Sequence, residues 1–197
     1  MRAIGVYCAS TIGTSALFQD AARHAGTALA ARGVELVYGG GRFGLMGLVA
    51  DAALAAGGKV TGVMTRGLVE REIGHPGLSR MDVVETMHER KARMEQLADG
   101  FVALPGGPGT MEEMFEQWTC GILGLHAKPC GFLDVGGYFD PLRVMMAKMG
   151  EAGYLRPDHA AMLAFEPDMD ALLARFADYV PPALKYVQDR PASTAVA

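Results

Sequence analysis

Short apolar runs take turns with longer stretches of helical periodicity along almost the whole of this 197-residue chain. The runs at 4–8 (IGVYC), 34–38 (VELVY), 60–64 (VTGVM), 83–85, 101–104 (FVAL) and 130–133 (CGFL) have the length of strands. Several are apolar at every position, as expected of strands covered by helices on both faces. Helical patterns fill 15–31, 45–56, 89–98, 111–123 and 141–150. A strand followed by a helix, repeated, makes βαβ units with right-handed crossovers and a parallel sheet between two helical layers. The expectation is one Rossmann-like, doubly wound α/β domain over residues 1–187. A last short strand at 163–165 and a last helix at 169–179 complete it. Residues 188–197 (QDRPASTAVA) lose the periodicity and read as a frayed tail.

Ligands of such sheets bind beyond the carboxyl ends of the strands. Two glycine-rich turns lie there. Residues 39–47 (GGGRFGLMG) follow VELVY, and 105–110 (PGGPGT) follow FVAL. Each leads from a strand into a helix, whose first N–H groups lack partners and whose dipole favours an anion. Glycine lets the backbone approach a ligand closely. Both turns therefore read as phosphate loops: Gly39, Gly40, Gly41 and Gly44 in the first, and Gly107 to Thr110 in the second. The first also spells G-x-G-x-x-G, but it follows the second strand, and no acidic residue ends the next one. A dinucleotide site is not indicated, and PGGPGT lacks the Walker lysine.

Composition narrows the partners. The net charge of −4 does not suit a nucleic-acid binder, and no apolar run approaches a membrane span. The first residues read directly as a strand, with no signal-peptide pattern. The cysteines, Cys8, Cys120 and Cys130, are odd in number and lie in apolar runs. They read as reduced core thiols in a cytoplasmic protein. The five histidines have no metal-ligand spacing, so neither a metal nor a cofactor is expected.

Charged residues gather in MHERKARMEQLAD, 87–99. Arg90 shares a helix face with Met94 and Leu97, which is the apolar face. Arg90, Lys91 and Arg93, placed in a first turn, would oppose the helix dipole. For Lys91 and Arg93 a solvated face is explanation enough, whereas Arg90 points inward. Further on, Thr110 and Glu113 match the capping box S/T-x-x-E. Glu113 thus has two readings, as a cap and as a functional carboxylate.

Taken together, GGGRFGLMG, MHERK and PGGPGTMEE, in this order and spacing, resemble the LONELY GUY family. These are cytokinin riboside 5′-monophosphate phosphoribohydrolases, also described as possible lysine decarboxylases, and their bacterial relatives often act on AMP. YCAS, REIGHPGL, KPCGFLDVGGYFDPL and EAGYL extend the resemblance from about Ile4 to about Tyr179. It implies hydrolysis of a purine nucleoside 5′-monophosphate to free base and ribose 5-phosphate, by a homodimer. It implies Arg90 and Glu113 as the catalytic pair. Substrate contacts would come from Glu72, Lys91, Gly107, Pro108, Gly109, Thr110, Met111, Glu112 and Thr119. Pro108 stands at the variable position of PGG-x-GT and removes one N–H from the cradle. Ala9 stands where a glycine is frequent.

Overall fold

The computed structural model describes residues 1–71 and 73–182. Glu72 and the expected tail, 188–197, lie outside the described residues. Among the described residues, seven strands form one sheet: β1 (Ala3–Tyr7), β2 (Glu35–Tyr38), β3 (Val60–Thr65), β4 (Arg80–Val84), β5 (Gly100–Ala103), β6 (Cys130–Leu133) and β7 (Leu163–Glu166). All pairings are parallel, in the order β4-β3-β2-β1-β5-β6-β7. The strand order reverses beside β1. Ile4 faces Leu36 on one side and Gly100 on the other.

The helices are α1 (Ala16–Ala31), α2 (Gly44–Ala55), α3 (Arg66–Val69), α4 (Met87–Leu97), α5 (Pro108–Ile122), α6 (Asp140–Glu151), α7 (Pro157–Ala160) and α8 (Met169–Ala177). Alternation along the strands divides the core in two. Ile4, Val6 and Leu36 pack with Ala25 and Leu29 of α1, Val49 of α2 and Leu172 of α8. Tyr7, Val37 and Val63 pack on the other face with Met94 of α4, Met114 and Trp118 of α5 and Met146 of α6. The single α/β domain expected from the alternation is what the chain forms.

Some boundaries differ, each for a local reason. β4 begins at Arg80, three residues before the expected run. It is an edge strand whose Arg80 and Val83 are exposed, so no continuous apolar signal marks it. α4 begins at Met87, not at 89. Thr86 is its N-cap, with Oγ1 accepting from the Glu89 amide at 3.1 Å, and Glu89 Oε2 accepts from the Glu85 amide at 2.9 Å. The first turn therefore carries an acid. Arg90, Lys91 and Arg93 lie beyond it, and the expected clash with the dipole does not arise.

Candidate active site

α5 is built differently from the expectation, and the difference reassigns Glu113. The expected helix opened at Met111 with Thr110 as its cap. Instead Gly107 is the N-cap and Pro108 the first helical residue. Proline suits that position because its fixed φ is helical and its missing N–H would have had no partner. Met111 donates to Gly107 O at 3.2 Å, closing the first turn. The N–H groups of Gly109 and Thr110 precede it, at the dipole's positive end. Thr110 is buried within that turn, at 4% exposure. It is not a cap, and Glu113 is not part of a capping box. The Glu113 carboxylate goes elsewhere, to Arg90.

Arg90 reaches it from α4. Its Nη1 donates to Glu113 Oε1 at 3.1 Å, and its Nε donates to the Val63 carbonyl within β3 at 3.0 Å. Arg90 is only 8% exposed. The first glycine turn makes this possible. A Cβ on Gly39 would lie 1.9 Å from Arg90 Nη2, so only glycine leaves room for the guanidinium. Gly44 has φ +66°, and a Cβ there would meet the Ser10 backbone at 2.3 Å. Met46 N, in the first turn of α2, donates to Ala9 O at 3.2 Å, and Ala9 N to Pro105 O at 3.3 Å. The turn at 39–47 thus packs against the loop after β1, and one of its helix-start amides is already engaged.

Burial pushes the Glu113 carboxyl above the usual carboxylate range, against the opposing pull of Arg90. Burial likewise raises the Cys8 thiol, which keeps it protonated and unsuited to nucleophilic work.

These groups line one cleft of 660 Å³, a size common for small-molecule sites. Gly39, Gly41, Arg90, Gly107, Pro108, Gly109, Thr110 and Glu113 all face it. So do residues the sequence did not single out. Ser10 and Thr11 come from the loop after β1, and Phe43, Met46, Met64, Leu68 and Ile73 form an apolar wall. The hydroxyls of YCAST, directly after the first strand, were the available signal. Leu68 belongs to α3, and Ile73 and His75 are tied by their backbones to the first glycine turn. Arg42 N donates to Ile73 O at 3.0 Å and His75 N to Gly40 O at 2.9 Å. The position of the cleft follows from the topology, since β1 and β5 flank the point where the strand order reverses.

Other expected contacts do not line the cleft. Gly40 and Gly44 shape the turn without facing the cavity. Met111 packs on the apolar core beside α5. Lys91 is tied to Glu112 and, at 3.1 Å, to Glu116. The Glu112 bond raises the lysine's pKa, so it stays charged. Glu112 is 57% exposed at its side chain, and Thr119 is exposed further along α5.

Comparison with known proteins agrees with the motifs. The family model described as "Possible lysine decarboxylase" matches residues 46–176. The cytokinin riboside 5′-monophosphate phosphoribohydrolase LOG of Oryza sativa subsp. japonica is 42% identical over 91% of this chain and 74% of its own length. A namesake from Arabidopsis thaliana is 41% identical over 91% of this chain and 84% of its own length. Among solved structures, a molybdenum cofactor carrier protein from Chlamydomonas reinhardtii superposes with a TM-score of 0.66 at 22% identity, covering 88% of this chain and 94% of that one. A molybdenum cofactor binding protein from Rippkaea orientalis does so with 0.66 at 17%, covering 88% and 95%. At those identities the likeness is one of fold alone. The relatives match across nearly the whole chain, both glycine turns and the helices of the Arg90–Glu113 pair included, and by that measure the chain belongs to the cytokinin riboside 5′-monophosphate phosphoribohydrolase family.

Proposed function

We propose that the chain hydrolyses the N-glycosidic bond of an adenine nucleoside 5′-monophosphate, with or without an N6 substituent, to free base and ribose 5-phosphate. The observation that carries this reading is the Arg90–Glu113 pair set one helical turn inside the start of α5. The 5′-phosphate sits at that start, on the Gly109 and Thr110 amides. Glu113 then lies roughly 5 Å further along the helix, the rise of one turn and the scale of the distance from phosphate to C1′. As the bond from C1′ to the base nitrogen breaks, positive charge develops on the ribose. The Glu113 carboxylate stabilises it and takes a proton from the water that attacks C1′, as carboxylates do in other glycosidases. The base leaves with the pair of bonding electrons and takes up a proton. Arg90 holds one carboxylate oxygen and keeps the group ionised in a buried place. The apolar wall of Phe43, Met46, Met64, Leu68 and Ile73 accepts the base and any alkyl group on it.

Decarboxylation through pyridoxal phosphate would need a lysine in the cleft. No described lysine lines it, and Lys91 is held as an ammonium by Glu112. A cofactor is not part of the proposal.

We also propose a cytoplasmic homodimer that uses the exposed Val144 and Met145 of α6. Trp118 of α5 belongs to the core and not to such a surface. It is 4% exposed, with Nε1 donating to the His159 carbonyl at 3.0 Å. Among the described residues no helix is long and apolar enough to cross a membrane. The test of the function is direct: incubation with AMP or N6-isopentenyl-AMP, without added metal or cofactor, should release free base. A folded protein that releases none from either overturns it.

A further inference from the structure

The Arg90–Glu113 pair has a silent neighbour below it. Tyr7 is the last residue of β1, only 1% exposed, with its ring stacked on Phe101 at 6.0 Å between centroids. Its hydroxyl is buried and has no hydrogen-bond partner among the described residues. That is an unfavourable place for an O–H group. Phenylalanine would fill the same space without stranding a polar atom.

The topology says what lies above it. Arg90 is anchored on the Val63 carbonyl within β3 and passes beside Gly39, which directly follows β2. Glu113 comes from the helix that follows β5. Since β1 lies between β2 and β5, the ion pair crosses the carboxyl end of β1. Tyr7 occupies that end, and its side chain belongs to the face covered by α4 and α5. Charged and titratable groups face it from three elements: Glu113 and Glu116 from α5, Arg90 from α4 and Cys130 from β6. Lys91 and Glu112 complete the set around Glu113. Burial first, and then the Glu113 charge, push the phenol well above its ordinary pKa. The hydroxyl therefore keeps its proton and can only be a donor to a carboxylate.

We infer that Tyr7 is a positioning residue for Glu113: its hydroxyl, buried under the Arg90–Glu113 pair without a partner, donates to the Glu113 carboxylate when substrate fills the cleft. Catalytic hydrogen bonds are commonly loose in an empty site and tighten only with substrate bound. Burial works against ionised Glu113, and Arg90 supplies a single bond to it. A second donor from below fixes the plane of the carboxylate and favours its charged form. This rests on the proposed reaction, with Glu113 as the working carboxylate.

Tyr7→Phe removes one oxygen and tests the idea. Three results are expected together. The melting temperature is unchanged or higher. kcat falls roughly ten- to a hundredfold with KM little changed, the worth of one bond to a charged group. The acid limb of the kcat profile moves to higher pH, because ionised Glu113 has lost a donor. A Tyr7→Phe enzyme with wild-type kcat and an unmoved acid limb overturns the inference and leaves Tyr7 as packing. A carbon-13 titration of Glu113, identified by its absence in Glu113→Gln, separates this outcome from failure of the reaction itself. With ribose 5-phosphate bound, the Glu113 pKa should be higher in Tyr7→Phe than in wild type, whether or not base release is found. Equal values contradict the role of the hydroxyl.

Discussion

Glu113 shows how one residue's role turns on where a helix begins. Were it a cap, glutamine would serve as well in stability and in activity. With α5 starting at Pro108, the carboxylate is free of that duty and is paired with Arg90. Glu113→Gln should lose less stability than Arg90→Ala, since the amide can still accept from Arg90 although the buried guanidinium loses its anion. It should lose about 10²- to 10⁴-fold in kcat, the usual worth of acid–base participation. Arg90→Ala should lose activity too, and it should also unfold more easily, by about 3 kcal/mol, because it leaves a buried carboxylate without its cation. Thermal melts of the two variants side by side separate these effects; an Arg90→Ala protein as stable as wild type would show the pair to be structurally idle. The wild-type kcat should fall as pH drops through the Glu113 pKa, which burial places above the ordinary glutamate range.

Gly39 offers a test of geometry without touching charge. A methyl group there collides with Arg90 Nη2 and must displace the guanidinium. Gly39→Ala should fold and yet lose on the order of a hundredfold in kcat/KM, the scale of an ångström's misplacement at a reacting centre. Steady-state kinetics near wild type would mean that Arg90 can work from another position. The sequence offered Gly39 as part of a phosphate loop, and packing against Arg90 gives its absence of a side chain a different cause.

Among the elements, α5 is the one whose N-terminus is proposed to hold the phosphate. Two amides at the positive end of a helix, with Pro108 contributing none, should make the monophosphate a far better substrate than the nucleoside. Hydrogen bonds to a charged group are worth roughly 1.5–3 kcal/mol each, so losing two costs about a hundredfold or more. Comparison of kcat/KM for AMP and adenosine checks this, and similar values would move the phosphate away from α5. The pairing of Ile73 and His75 with the first glycine turn was not foreseen. Its backbone bonds to Arg42 and Gly40 leave no trace in periodicity or composition. The same holds for β4, whose edge position admits Arg80 and Asp82 where an interior strand would be apolar.

At the scale of the molecule, the alternation of runs is enough to read seven parallel strands between two helical layers, because burial on both faces imprints itself on every interior strand. The strand order is not written locally. Only the reversal beside β1 brings the hydroxyls of Ser10 and Thr11 next to PGGPGT, and sets Tyr7 within electrostatic reach of Arg90 and Glu113. Motif spacing located Arg90, Glu113 and Gly107 to Thr110, all of which meet in the cleft. The family resemblance also offered Lys91, Met111, Glu112 and Thr119, which do not line it in the single chain. In a homodimer, light scattering at micromolar concentration should report about twice the 20.9 kDa of one chain; a monomer mass would remove the proposed α6 interface, Val144 and Met145, from the account.

This cleft is proposed to cleave the bond between a purine base and ribose 5-phosphate. Chromatographic quantification of both products, from AMP and from N6-isopentenyl-AMP with purified protein and no added metal or cofactor, tests it most directly. Free base and ribose 5-phosphate are expected in equal amounts from at least one of the two, with release by Glu113→Gln slowed about a hundredfold or more. Intact nucleotide after prolonged incubation with folded wild-type protein, or base released equally well by Glu113→Gln, would contradict it.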